Sequence, residues 1–179
     1  MILDIVKQGL EELIGLPAEE PAPEAPPEGA AETPEGEAPT EAAVPPPRKP
    51  VELTDYKKTG YHLDAAVPAD MLLAAVELLD RQQFALECIT GVDWIADNQM
   101  EVVYDFNHYS ELCRVALRTR IDRNAPELPT ISPIYGGANW HERETHDFFG
   151  IVFTGHPDLT PLLLPEDADF HPLLKDFKP

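Results

Sequence analysis

The sequence predicts an α+β fold with a helix, an antiparallel sheet of three to four strands, a second helix and an extended C-terminal tail. Two patterns predict this fold. Apolar residues at helical spacing predict the helices, and a run of closely spaced strand-like segments between them predicts the sheet. A third observation is the segment rich in Pro and Glu that precedes them. We predict a short amphipathic helix at 1–16, a disordered acidic Pro-rich linker at 17–50, an α+β domain at 51–160 and an extended tail at 161–179.

The first 16 residues place apolar side chains at the spacing of one helical face. These residues are Ile2, Val6, Leu10, Leu13 and Ile14. A helix this short is marginal in water by itself, so it needs a surface to pack on. Two interpretations stay open. The helix packs on its own domain, or it docks in a groove of a further partner subunit.

The predicted linker, residues 17–50, contains eleven Pro, eight Glu and no aromatic residue. A segment of this composition cannot bury enough apolar surface to offset the loss of chain entropy on folding. We therefore predict that it is disordered and extended, and that it tethers the N-terminal helix to the domain.

The domain begins near Val51, with a possible edge strand at 61–67 and a helix predicted for 68–83. Pro68 suits the first turn of that helix. Its buried stripe is predicted to consist of Leu72, Ala75, Val76 and Leu79. Three strand-like segments follow, separated by turn residues, and they predict an antiparallel meander. They read FALECITGVDWIA, QMEVVYDFNHY and ELCRVALRTRI.

The third of these segments alternates apolar and basic side chains. Its apolar positions are Cys113, Val115, Leu117, Thr119 and Ile121, and its arginines are Arg114, Arg118 and Arg120. A period of two predicts one core face and one basic face. We expect the arginines to pair with nearby Asp or Glu on a solvated face, the alternative being an acidic partner.

The charge balance and the cysteines exclude several classes of function. With 33 Asp+Glu and 13 Lys+Arg, the net charge of −20 repels phosphate backbones, so no nucleic-acid partner is expected. Cys88 and Cys113 are isolated, so we expect small core residues and neither a zinc site nor an iron–sulfur cluster within this chain. Without signal-peptide features or a long apolar run, we expect an intracellular protein that can still belong to a membrane assembly.

A second helix is predicted to include Asn139–Phe149 and to end at Gly150 as its C-cap. The segment after it has prolines too closely spaced for a helix, so residues 161–179 must run extended over a surface.

The second helix carries the stretch WHERETHDFFG, as dense in charged and histidine side chains as an active site. Its two histidines, His141 and His146, are five residues apart, which places them about 140° apart around a helix. They cannot bind one metal ion together, unlike the histidines of HExxH at four residues. A free-standing enzyme that uses these two histidines is therefore a remote alternative.

The carboxylates of the same stretch do not form an acid–base pair either. Glu142 and Glu144 point to different helix faces, and Arg143 and Asp147 have the i,i+4 spacing of an ion pair. The sequence has no activated nucleophile and no Gly-rich phosphate loop. We therefore expect no catalytic residue, and we expect some of these charges to fix a subunit boundary, the alternative being ion pairs and ordinary packing within the domain.

From Ala138 to Leu159 the sequence ANWHERETHDFFGIVFTGHPDL closely resembles the signature of the thirty-kilodalton subunit of complex I, also called the C subunit of NADH:quinone oxidoreductase. The matching positions are Glu142, Arg143, Glu144, Asp147, Gly150, Phe153, Gly155, His156, Pro157 and Leu159. The resemblance covers about Val51 to Lys178. After GHPDL, however, this chain has Thr160 and Pro161 where basic residues are usual, and His141 stands where an aromatic residue is common.

The resemblance implies a non-catalytic structural subunit of the peripheral arm of an ion-translocating respiratory oxidoreductase. Such a subunit has no cofactor of its own and supports the large catalytic subunit, which forms the quinone site with a small iron–sulfur subunit. Iron–sulfur clusters and quinone are expected in these partners, the membrane arm is contacted only indirectly, and the motif residues are expected at the subunit interface. The chain would lie on the cytoplasmic side of the cell membrane as a peripheral protein held by its partners.

The same family occurs in complexes with other electron donors and acceptors. The main alternative is therefore the equivalent subunit of a membrane-bound energy-converting [NiFe] hydrogenase, where the large subunit holds a nickel–iron site. A distant alternative is a free acidic adaptor protein that recruits a partner through the N-terminal helix. The electron donor, the electron acceptor and the pumped ion stay open.

Overall fold

A computed structural model describes residues 1–15 and 49–178 of the 179-residue chain. The predicted linker at 17–50 lies outside the described residues apart from Lys49 and Pro50. Among the described residues, no helix is long and apolar enough to cross a membrane.

The described part contains four α-helices and seven strands. The helices are α1 (Ile2–Ile14), α2 (Tyr56–Thr59), α3 (Leu72–Arg81) and α4 (Ala138–Phe149). The strands are β1 (Val51–Leu53), β2 (Leu63–Ala66), β3 (Ala85–Trp94), β4 (Gln99–His108), β5 (Cys113–Asp122), β6 (Glu127–Pro129) and β7 (Val152–Thr154). The predicted α+β class is confirmed.

The main sheet has the strand order β1-β2-β5-β4-β3. As predicted, β3, β4 and β5 form an antiparallel meander, but β2 lies between β1 and β5 and runs parallel to β5. The predicted edge strand at 61–67 is therefore an interior strand, and the sheet has one strand more than the upper prediction. Neither the β2–β5 pairing nor the β1–β2 pairing leaves a local signal in the sequence, because no turn links β2 to β5 and β1 is only three residues long.

One apolar cluster joins α1, α3 and α4 to a single face of the sheet. It includes the predicted stripe of α3, in which Leu72, Ala75, Val76 and Leu79 are all buried. Gly91 of β3 allows α4 to approach the sheet closely, because a Cβ atom there would lie 2.6 Å from the Phe149 ring. The core therefore lies between the sheet and the helix layer.

The N-terminal helix α1 packs on its own domain. Val6 and Leu10 are fully buried, and Gly9 approaches the Leu78 side chain of α3. The own-domain interpretation is therefore correct. Because α3, β1 and β2 already cover this apolar face, docking on a further subunit is not needed to bury it, and that alternative stays a prediction.

The face of the sheet opposite α1, α3 and α4 is charged, but its charges are paired within the chain. As expected, each arginine of β5 meets a carboxylate from within the chain. The pairs are Arg114–Asp105, Arg118–Asp64 at 2.8 Å and Arg120–Glu101 at 3.3 Å. An acidic partner is therefore not needed to neutralise them. Of the two cysteines, Cys113 is buried and Cys88 is half-buried.

Candidate functional site

The candidate site is α4 together with the segment that follows it, residues 151–178. The helix ends as predicted, since Gly150 adopts a left-handed conformation with φ 74° and its N–H donates to the carbonyl of His146. A Cβ atom at position 150 would also lie 2.7 Å from Nε2 of His171. Glycine is therefore required both by the turn and by the close approach of the tail. Residues 155–178 contain no helix or strand.

Glu142 points into the core and has no solvent exposure. Its Oε1 accepts the backbone N–H of Ile131 at 2.7 Å, and its Oε2 accepts the Thr130 hydroxyl at 2.5 Å. Burial raises the pKa of Glu142, although both hydrogen bonds favour the ionised form. The imidazole of His156 lies 3.7 Å from Oε2, also without exposure. Glu142 therefore fixes the loop before α4 to the helix.

Arg143 holds the start of the tail. Its guanidinium donates from Nε to the carbonyl of Thr160 at 2.9 Å and from Nη2 to the carbonyl of Pro161 at 3.0 Å. The predicted ion pair between Arg143 and Asp147 is wrong, because the folded chain offers each side chain backbone partners in the tail. The Arg143 guanidinium also lies over the Trp140 ring, 5.5 Å from its centroid.

Asp147 is buried and holds the next residues of the tail. Its Oδ2 accepts the backbone N–H groups of three consecutive residues. The distances are 2.8 Å to Leu162, 2.7 Å to Leu163 and 3.2 Å to Leu164. Burial alone would raise the pKa of Asp147, but these three N–H groups outweigh it and hold the pKa below its usual value. One carboxylate therefore fixes the path of three consecutive residues of the tail.

Two histidines add contacts between α4 and the chain beyond it. Nδ1 of His146 lies 2.9 Å from the carbonyl of Ile151, and Nδ1 of His171 lies 2.8 Å from the carbonyl of Asp147. Since a carbonyl only accepts, each Nδ1 must carry the proton. The N–H of Leu173 then donates to the carbonyl of Phe148. Both histidines thus act as structural donors here.

A second anchor of the tail was missed by reasoning from the sequence. Arg123 donates to both oxygens of the inaccessible Asp93 carboxylate at 2.8 and 3.0 Å and to Asp176 at 2.6 Å. Asp93 also accepts the N–H of Lys175 at 2.9 Å. The Arg123 hydrogen bonds hold the pKa of Asp93 below its usual value. The available signal was an aspartate at a core-facing position of an apolar strand.

The other motif residues differ in burial and environment. Glu144 is half-buried, Phe153 is buried in β7, Gly155 adopts φ 83°, Pro157 is exposed, and Leu159 packs against the core. Among the described residues, no group of three or more His, Cys, Asp or Glu side chains could hold a metal ion. The motif is brought together as a clamp on the chain, and its role at a subunit interface stays a prediction.

Beside α4 lies an open cleft of about 290 Å³ against strand β3. Its apolar lining includes Ile89, Phe148, Phe149 and Leu173, and its polar lining includes His141 and Glu144. His141 therefore lies at a surface cleft, whereas the His146 ring packs edge-on against His171 of the tail, with 6.3 Å between ring centroids.

Comparison with known proteins agrees with the motif. Residues 65–179 match the family model described as respiratory-chain NADH dehydrogenase, 30 Kd subunit. The C subunit of the NADH-quinone oxidoreductase of Roseiflexus sp. (strain RS-1) is 45% identical over 92 residues, which are 51% of this chain and 53% of that protein. The C subunit of the F(420)H(2) dehydrogenase of Methanosarcina mazei is 38% identical over 91 residues, 50% of this chain and 58% of that protein.

A solved structure is similar as well. It is that of the membrane-bound sulfane sulfur reductase, an archaeal respiratory membrane complex, with a TM-score of 0.60 and 30% identity over 65% of this chain and 71% of that chain. This chain spans about half the length of the first curated relatives that it matches. The family model nevertheless covers well over half of the chain, together with the whole motif. The chain therefore belongs to the family of the 30 kDa subunit of the respiratory-chain NADH dehydrogenase.

Proposed function

We propose that the chain is a non-catalytic structural subunit of the peripheral arm of a complex I-like, ion-translocating oxidoreductase. There it supports the large catalytic subunit beside the quinone site. The observation that carries the proposal is that Glu142, Arg143 and Asp147 all bind segments of their own chain. Charged side chains that bind their own backbone hold a surface of the protein in place and are not available to bind a substrate.

The surface that the clamp positions is the proposed binding face. Trp140 on α4 is 60% exposed, and Leu163 and Leu173 on the tail are 61% and 49% exposed. Large apolar side chains held at fixed places, next to a cation and polar backbone, are typical of the energetic centre of a protein interface. Arg143 acts indirectly in this proposal, by fixing the tail that carries Leu163.

In this proposal the large subunit and a small iron–sulfur subunit are the direct partners, and the membrane arm is contacted only through them. The iron–sulfur clusters and quinone belong to the partners. The chain would lie on the cytoplasmic side of the cell membrane, peripheral and held by the assembly. The net charge of −20 disfavours direct attraction to anionic lipid head groups.

A second candidate is the equivalent subunit of a membrane-bound energy-converting [NiFe] hydrogenase. The observation behind it is that the similar proteins have several names, including an F(420)H(2) dehydrogenase subunit and a chain of a sulfane sulfur reductase. Family membership therefore leaves the electron donor and acceptor open.

The test is a gentle purification of the full chain from its native membranes, followed by mass spectrometry and metal analysis. Co-purifying iron–sulfur and large subunits would support the structural role, and nickel would select the hydrogenase candidate. Recovery of the chain alone would contradict both and favour a free acidic adaptor.

The proposed face is tested in the same preparation with Trp140→Asp. This substitution is expected to reduce the amount of large subunit that co-purifies at least tenfold, because a charge replaces an apolar anchor of the interface. The control is Leu112→Asp, since Leu112 is 77% exposed and lies at the β4–β5 turn. Equal recovery of partners with both variants would contradict this choice of face.

A further inference from the structure

Strand β3 forms one edge of the main sheet, and its outer side has no strand partner in the part of the chain that the structure describes. Within residues 1–15 and 49–178, no backbone hydrogen bond from another segment reaches Ala85–Trp94 on that side. Alternate N–H and C=O groups of such an edge point outward and are free to pair. A strand of ten residues thus offers a long template for another strand.

This edge is long and has no lysine or proline, two of the features that commonly prevent edge-to-edge pairing. The sequence ALECITGVDW contains neither Lys nor Pro, whereas the opposite edge strand, β1, is only three residues long. A bulge between Leu86 and Cys88 interrupts the regular pairing at one end only. The regular template is therefore the segment Cys88–Trp94.

The cleft of about 290 Å³ lies along this same segment. It is lined by Cys88, Thr90 and Gly91 of the strand and by Phe148 of α4. Successive side chains of a strand point to opposite faces, so a strand added to this edge would direct every second side chain toward the cleft. The apolar lining suits an apolar side chain there.

The charges around the edge indicate the sign of the partner. Glu87 is exposed on β3, and Glu144 lines the cleft on α4. The whole chain carries a net charge of −20. A strand with basic residues next to its apolar ones is therefore complementary to this edge.

We propose that β3 binds an extended segment of a partner subunit as an additional strand of the sheet, along Cys88–Trp94. The segment places an apolar side chain in the cleft and basic side chains near Glu87 and Glu144. Backbone hydrogen bonds supply affinity in this mode, and the cleft supplies specificity. The inference rests on the proposed function, because it adds to the α4 and tail face a second contact with the same partner assembly.

Hydrogen exchange, read residue by residue, tests the backbone pairing. The complex purified from native membranes is compared with the isolated full chain. Every second amide of Cys88–Trp94 is expected to exchange at least tenfold more slowly in the complex, because only alternate N–H groups point outward. The intervening amides, already paired with β4, are expected to change little. Unchanged exchange along the whole segment overturns the inference.

Variants test the edge independently. Thr90 is exposed on β3, and Thr90→Lys is expected to reduce recovery of the partner at least tenfold, because lysine on an edge repels a basic strand. Thr90→Val keeps a β-branched side chain and is expected to retain the partner. The matched control is Leu53→Lys on β1, the opposite edge strand, where Leu53 is 49% exposed. Thermal unfolding checks that each variant is folded, and full recovery with Thr90→Lys overturns the inference.

The outcomes separate this inference from the proposed function. If partners co-purify but the β3 amides exchange as fast as in the isolated chain, the inference is overturned and the proposed function is unaffected. Recovery of the chain alone overturns both. Self-association of the isolated chain, with slowed exchange in β3, overturns the choice of partner in favour of a second copy.

Discussion

Helices α1 and α4 have similar lengths, 13 and 12 residues, but they are held to the domain by different forces. Helix α1 docks through buried apolar side chains such as Val6 and Leu10, while its ion pair Lys7–Glu11 stays within the helix. Helix α4 is fixed by directional hydrogen bonds to a loop on one side and the tail on the other. Apolar burial fixes where a helix lies, whereas charged groups also fix the course of the chain around it.

Within α4 the same comparison applies to two carboxylates. Glu142 and Asp147 are both buried, but burial raises the pKa of Glu142, whereas three backbone donors keep that of Asp147 below its usual value. The balance between burial, which is deeper at Glu142, and the donors around each carboxylate decides the direction of the pKa shift. Burial of a carboxylate therefore does not predict its ionisation unless its hydrogen-bond partners are known.

The largest effect is expected for Glu142→Ala. The substitution leaves the Ile131 N–H and the Thr130 hydroxyl without their buried acceptor and opens a void, so it should reduce the free energy of unfolding by about 3 kcal/mol. Urea denaturation measures the change. Glu144→Ala, a half-buried neighbour on the same helix, is the control and should cost less than about 1 kcal/mol. Equal losses would mean that Glu142 is not an anchor.

The apolar docking of α1 is tested by Leu10→Ala. Loss of this fully buried side chain should weaken docking by about 2 kcal/mol. Because α1 is marginal by itself, hydrogen exchange should become faster in Ile2–Ile14 while β4 and β5 stay protected. Ile5→Ala, at a residue 53% exposed, is the matched control and should change little. Uniform loss of protection across the domain would contradict a purely local role.

The polar anchoring of the tail is tested by Asp147→Asn. An amide keeps the shape but removes the charge that three N–H groups share, so the tail should lose about 1 kcal/mol or more of local stability. Amide exchange of Leu162, Leu163 and Leu164 should become about tenfold faster. Asp167→Asn, at an exposed position of the same tail, serves as the control. Unchanged exchange would show that other contacts hold the tail.

The smallest effect is a difference in pH dependence. Because the folded pKa of Asp147 is lowered, its stabilising contribution is present above the usual range of an aspartate and is lost as the pH falls through the folded pKa. The raised pKa of Glu142 has the opposite sign, since its contribution is present at low pH and is lost as the pH rises through the folded pKa.

Two isosteric variants separate these contributions. Asp147→Asn should remove the acid-induced loss of tail protection, and Glu142→Gln should flatten the fall in global stability as the pH rises above the usual range of a glutamate. Urea denaturation and amide exchange across a pH series measure both. Slopes identical to those of the unmodified chain would assign the pH dependence to other groups.

Local patterns in the sequence determined much of the fold. Helix α3 with its buried stripe, the meander β3–β5 and helix α4 ending at Gly150 all follow from spacing and turn chemistry. These signals lie within one or two neighbouring segments, where backbone geometry alone relates residue to residue. The motif from Glu142 to Leu159 was also sufficient by itself to indicate the family.

Only the tertiary structure decided which groups meet. The parallel pairing of β2 with β5, the docking of α1 on its own domain and the anchor between Arg123 and Asp93 join segments far apart in the chain. For Arg143 and Asp147, helical spacing favoured an ion pair, yet the folded tail supplies both with backbone partners. The physical reason is that a charged side chain binds the donors and acceptors that folding places around it, and spacing along one helix does not specify them.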